Sequence, residues 1–238
     1  MDEFGLRPSP CLPTAARPLL GLTILVVEDS RFASEALRLL CLRSGARIRR
    51  ADCLTSARRH LQVYRPSAIL IDLGLPDGSG ADLISDVNAI TPRISVVLGI
   101  SGDDNAEARA LAAGADGFLA KPVSSLTLFQ QAILAHLPAE RQPSGPRALN
   151  DTKIRPDRAA YRDDLAHVAD LLGDRQTARS LAYLAQFLHG VAHSADDAAL
   201  ACAAQNLAQT RHSARAAGSE LARLEGMVQD RLASRMAL

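Results

Sequence analysis

Ile69-Leu-Ile-Asp72-Leu-Gly-Leu-Pro-Asp-Gly-Ser-Gly80 decides the fold, because a short apolar run ends on a carboxylate and passes at once into glycine and proline turn chemistry. Three other segments repeat this plan. Residues 22–27 lead into Glu28-Asp29, residues 94–100 into Ser101-Gly102, and residues 117–120 into Lys121-Pro122. Short apolar runs flanked by helical patterns, as at 31–43 and 125–137, read as buried parallel strands whose carboxyl ends converge on one edge. The expected class is α/β with a parallel sheet. One edge of it receives three carboxylates, a hydroxyl and an ammonium.

These residue types suit phosphoryl transfer. Mg²⁺ prefers hard oxygen ligands and keeps several waters, so a few carboxylates suffice to hold it. Asp29 is the expected direct ligand, with Glu28 bound directly or through water. Asp72 can attack a phosphoryl group once metal and ammonium neutralise the transferring oxygens. Lys121 supplies the ammonium, and Ser101 can hydrogen-bond a phosphoryl oxygen beside the small Gly102. Taken singly, Asp29 or Ser30 could also be a helix N-cap, and Asp72 could simply start a turn.

Residues 20–138 resemble a response-regulator receiver domain. The likeness rests on Ile-Leu-Val-Val-Glu-Asp-Ser, on the run around Asp72, and on Ala-Ala-Gly-Ala-Asp-Gly-Phe-Leu-Ala-Lys-Pro ending at Pro122. It implies an α/β doubly wound five-stranded parallel sheet, and that Asp72 accepts phosphate from a phosphohistidine on a sensor histidine kinase or phosphotransfer protein, with Mg²⁺ required. It implies metal ligation by Glu28, Asp29, Asp72 and the main-chain carbonyl of Gly74, and a cis Lys121-Pro122 bond. It also implies a switch in which Ser101 and Phe118 move together, and it allows a homodimer through about 103–137.

Composition fits two soluble cytoplasmic units. The chain has 238 residues, 47% hydrophobic and only 3% aromatic, so its cores are aliphatic. A formal net charge of +1, spread evenly along the chain, gives no reason to expect nucleic acid as a partner. The apolar run at 19–27 is too short to span a bilayer, so no membrane partner is expected. Cys11, Cys41, Cys53 and Cys202 lack metal-type spacing and read as reduced thiols. Residues 1–19, with four prolines, read as a flexible arm, and 139–150 as a linker.

Beyond the linker, residues 151–238 show helical patterns at 156–172, 174–193, 195–217 and 219–236. Gly173, the stretch 194–197 and Gly218 supply the breaks, and an all-α four-helix bundle is expected. Its first half resembles the opening of histidine-containing phosphotransfer domains. Two registers remain open: His212, with Arg215 and Ala216 three and four residues on, is a tentative phosphohistidine, whereas alignment from Asp196-Asp197 puts Gln205 at that place. In the second register the bundle cannot carry phosphate. His189 and His193 are spaced i, i+4 without an evident third metal ligand and read as solvent-facing. Output through protein contact with a downstream partner is expected, since no separate output enzyme is recognised.

Overall fold

A computed structural model describes residues 12–103, 105–143, 152–173, 178–210 and 214–234. Five strands, β1 (Thr23–Val27), β2 (Arg47–Ala51), β3 (Ala68–Asp72), β6 (Val96–Ser101) and β7 (Gly117–Ala120), form one parallel sheet in the order β2-β1-β3-β6-β7. Alternation along each strand sends side chains to opposite faces. Ile24, Val26, Ala68 and Leu70 pack under α1 (Arg31–Ser44) and α5 (Leu126–Leu134), where Leu37, Leu40, Phe129 and Ile133 close the layer. Leu25, Val27, Ile69 and Ile71 pack on the other face under α2 (Leu54–Val63), α3 (Gly80–Asn88) and α4 (Ala106–Ala112). Full burial of each Leu, Ile, Val or Phe among them contributes about 1.5–3 kcal/mol. The expected sheet and its helices on both faces are present.

β2 has no apolar run. Its Arg-Ile-Arg-Arg-Ala sequence leaves most of the strand open at the sheet's edge, where charged side chains discourage pairing with another chain. A small hairpin of β4 (Gly74–Leu75) and β5 (Gly78–Ser79) follows Asp72. Its turn residue Asp77 accepts from the amides of Leu54 and Thr55 and anchors the start of α2. Gly80 is fixed by space: a Cβ there would lie 1.9 Å from the Asp72 carbonyl oxygen. Helix α1 ends at Gly45, whose φ of 85° suits glycine, and whose amide closes the last turn.

The segment read as a linker contains a short 3₁₀ turn, Ala139–Arg141, and residues 144–151 lie outside the described residues. Beyond it Ile154 packs into the core with α1 and α5. At the other end, Leu19 is fully buried there too, and residues 1–11 lie outside the described residues. Cys41 is buried, which pushes its thiol up to about 12, and the three described cysteines are free.

The C-terminal region is helical: α6 (Arg158–Gly173), α7 (Ala178–Ser194), α8 (Ala198–Thr210) and α9 (Ala214–Ala233). Leu165, Val168, Leu184, Leu188, Val191, Leu200, Leu207, Leu224 and Val228 form their shared core. One break differs from expectation. Gly218 lies inside α9, where glycine costs only about 1 kcal/mol, while α8 ends at Thr210. Between α7 and α8, Asp196 takes a φ of 60° and Asp197 caps α8 at the Leu200 amide, 3.2 Å away. Asp197 also takes the Tyr161 hydroxyl of α6 at 2.9 Å and the Arg231 guanidinium of α9 at 2.8 Å. Among the described residues no helix is long and apolar enough to cross a membrane.

Candidate functional site

The order of the sheet reverses between β1 and β3, and at this switch point the residues after β1 face those ending β3. Glu28, Asp29 and Asp72 each offer an oxygen within 4.8 Å of the others, a set able to hold a metal ion. Lys121 Nζ donates to Asp72 Oδ2 at 2.8 Å and to Glu28 Oε1 at 2.9 Å. Glu28 Oε2 is also 2.8 Å from Nζ, at ion-pair distance without hydrogen-bond geometry, and it is buried with no other partner. A buried carboxylate oxygen with unused acceptor capacity beside two further carboxylates is the donor chemistry a hard cation needs. Gly74 lies two residues past Asp72, and its amide donates to Asp72 Oδ1 at 3.3 Å.

Burial raises Glu28 well above the usual carboxylate range despite the attraction of Lys121. Burial together with the Asp72 charge pushes Asp29 up to about 7. Burial opposes the charge on Lys121, but Asp72, Glu28 and Asp29 outweigh it and hold the ammonium firmly protonated. The cluster is therefore short of positive charge: one ammonium faces three carboxylates. Ser101 is buried at the end of β6, its hydroxyl accepting from the Asp103 amide at 3.2 Å. Phe118 is half-buried against the α4 side of the core, near Gly99. The Lys121–Pro122 bond is cis.

Helices α6 and α7 reach this site from over a hundred residues away. Asp164 accepts from Ser30 Oγ at 2.8 Å and from the amides of Arg31 and Phe32 at 2.8 and 3.0 Å, so it caps α1 jointly with Ser30. Tyr183 donates its hydroxyl to Asp29 Oδ2 at 2.7 Å. Burial and then the Asp29 charge raise the Tyr183 phenol, which stays a donor. Neither residue was found from sequence; Asp164 in the middle of an amphipathic pattern gives no local sign of a cap 134 residues away.

His189 is half-buried rather than solvent-facing, with its Nδ1 3.1 Å from the Ala201 carbonyl oxygen. It lines the same cavity as Asp72 and Gln205. Among the described residues the only group of three or more suited to a metal is Glu28, Asp29 and Asp72, which does not include His189 or His193. His212 lies outside the described residues.

Residues 24–133 match the response regulator receiver domain family. This part of the chain is a response regulator receiver domain of a two-component system. It is 33% identical over 99 residues to the KDP operon transcriptional regulatory protein KdpE of Escherichia coli K12, covering 42% of this chain and 44% of that regulator. It is 25% identical over 107 residues to the chemotaxis protein CheY of Thermotoga maritima, covering 43% of this chain and 88% of that protein. Among solved structures, a putative response regulator from Chloroflexus aurantiacus is similar at 29% identity with a TM-score of 0.45, covering 48% of this chain and 98% of that one. The matched stretch thus spans less than half of the longer curated relative.

Proposed function

We propose that this chain is a cytoplasmic response regulator, phosphorylated on Asp72 in a Mg²⁺-dependent reaction. It comprises an arm (1–19), a receiver (20–138), a linker (139–150) and a helical output unit (151–238) that acts through protein contacts. The observation that carries the reading is Lys121 Nζ placed 2.8 Å from Asp72 Oδ2 beside three carboxylates clustered for one cation. Receiver domains interact with histidine kinases or phosphotransfer proteins, and such a protein is the proposed donor.

Asp72 attacks the phosphorus of the donor's phosphohistidine. A P–O bond forms, the P–N bond breaks, and the imidazole leaves with the electron pair. Lys121, held charged by its carboxylate neighbours, stabilises oxygens of the moving group. Glu28, Asp29, Asp72 and the Gly74 carbonyl would hold Mg²⁺, which when bound supplies the remaining positive charge. The Ser101 hydroxyl gives a hydrogen bond to the new phosphoryl group, and Phe118 answers by repacking, a change read by a partner or a second copy.

The test is phosphate lability on wild type, Asp72→Asn and His212→Gln after incubation with Mg²⁺ and either acetyl phosphate or a phosphohistidine donor. Base-labile acyl phosphate lost in Asp72→Asn supports the reading. Acid-labile label lost in His212→Gln would instead make the chain a relay, and no Asp72-dependent label would end the proposal.

A further inference from the structure

The helical half lies across the carboxyl edge of the sheet, the side from which any donor must reach Asp72. Asp164 is 2% exposed and holds the first turn of α1, where Tyr161 also meets Phe32 with ring centroids 5.8 Å apart. Tyr183 holds Asp29. The Gln186 side chain presses on Gly74 so closely that a Cβ at 74 would lie 2.4 Å from its amide nitrogen. Asp72 is left 5% exposed.

Between the halves a cavity of about 390 Å³ remains, with Asp72, Ser101, Arg109 and Lys121 on the receiver side and Gln186 and Gln205 on the helical side. A small phosphorylated molecule fits this space, whereas the edge on which another protein's helix would have to dock is already taken by α7, through Tyr183 on Asp29 and Gln186 on Gly74. Gln205, which lines this chamber from α8 beside Ala208, has an amide nitrogen whose lone pair is delocalised into its carbonyl, so it can hydrogen-bond a phosphoryl group but cannot accept one.

We propose that α7 and α8 are a tethered cover of the Asp72 site, admitting small phosphoryl donors and excluding a protein phosphodonor until the halves separate. The inference rests on Asp72 being the phosphoacceptor. With acetyl phosphate, an Asp72 oxygen forms the new P–O bond as the acetate oxygen leaves with its electron pair, so no further reactant is needed. Opening the cover leaves this reaction in place and adds a second class of donor.

The test compares full-length wild type with Asp163→Arg, Asp164→Ala and their combination. Asp163 pairs with Arg31 at 2.9 Å across the interface and away from the chamber, so a reversed charge there pushes the halves apart. Asp164→Ala removes three hydrogen bonds across the interface. Each protein receives Mg²⁺ with either acetyl phosphate or a panel of phosphorylated histidine kinases and phosphotransfer proteins. A rise in the radius of gyration by small-angle scattering reports separation. The expected result is labelling by acetyl phosphate within about twofold in all forms, with labelling by a protein donor rising at least about tenfold in the combined variant. Equal protein-donor labelling of wild type and combined variant, at any level, overturns the cover. Absence of Asp72 label with acetyl phosphate in every form overturns the phosphoacceptor reading instead.

Discussion

In the receiver, Glu28, Asp72, Ser101 and Lys121 stand at or just past the ends of β1, β3, β6 and β7, each fixed by a backbone ladder that leaves little freedom. In the helical half, Asp164, Tyr183 and Asp197 stand on α6, on α7 and at the start of α8, held by side-chain contacts reaching to other elements. A parallel sheet concentrates reactive groups at one edge through its backbone, whereas packed helices recruit polar groups through the faces they present. The first arrangement builds a site, and the second decides who reaches it.

Asp72→Asn separates the two halves most sharply. It should abolish base-labile phosphate while the thermal transition of the helical half stays in place; residual base-labile label would show that another carboxylate reacts. Lys121→Ala should slow Asp72 labelling by about a hundredfold or more, the usual scale for removing one preorganised charge at a transition state. Stopped-time labelling with acetyl phosphate measures this, and an unchanged rate would remove Lys121 from the chemistry. Gln205→His sharpens the comparison from the other side: an imidazole placed in the chamber should acquire acid-labile phosphate from phosphorylated Asp72, and Gln205→Ala should not. Phosphate analysis after a chase with unlabelled donor reads the transfer.

Packing offers a smaller contrast. Leu188→Ala in the helical core and Leu70→Ala in the sheet should each cost about 2–5 kcal/mol, because both side chains are fully buried. Denaturant unfolding followed separately in each half measures whether the loss stays local or spreads across the interface. The smallest effect is at Asp197, whose carboxyl is held below its usual value by the Arg231 guanidinium, against burial and with help from the Leu200 amide and Tyr161. A depressed folded value means stabilisation fully present above the unfolded value of about 4, and lost as pH falls through the folded value. Asp197→Asn should cost about 1–2 kcal/mol at pH 7 and less as pH falls towards 3. Melting curves from pH 7 to 3 give the answer, and a constant difference would remove Asp197 titration as its source.

The receiver site was legible because four apolar runs end on the residues that matter, and strand pairing leaves their order no alternative. Gly80 reinforces this: its place in the motif follows from a backbone approach that no side chain permits. β2 was not legible, since an edge strand needs no apolar run and its arginines mask it. Gly218 misled because glycine marks a helix break only when the chain must turn there. His189 was placed on a solvent face by periodicity, which gives the angle around a helix but not the neighbour it meets.

By itself the sequence determined the parallel sheet, the convergence of Glu28, Asp29, Asp72, Ser101 and Lys121, and the helical character of the C-terminal half. These follow from short-range pattern and from the geometry every parallel sheet shares. Only the tertiary structure decided that Asp164 caps α1, that Tyr183 holds Asp29 and that Gln205 lines the chamber of Asp72. Those pairings join residues over a hundred positions apart, and the docking of one folded surface on another leaves no local period in the chain.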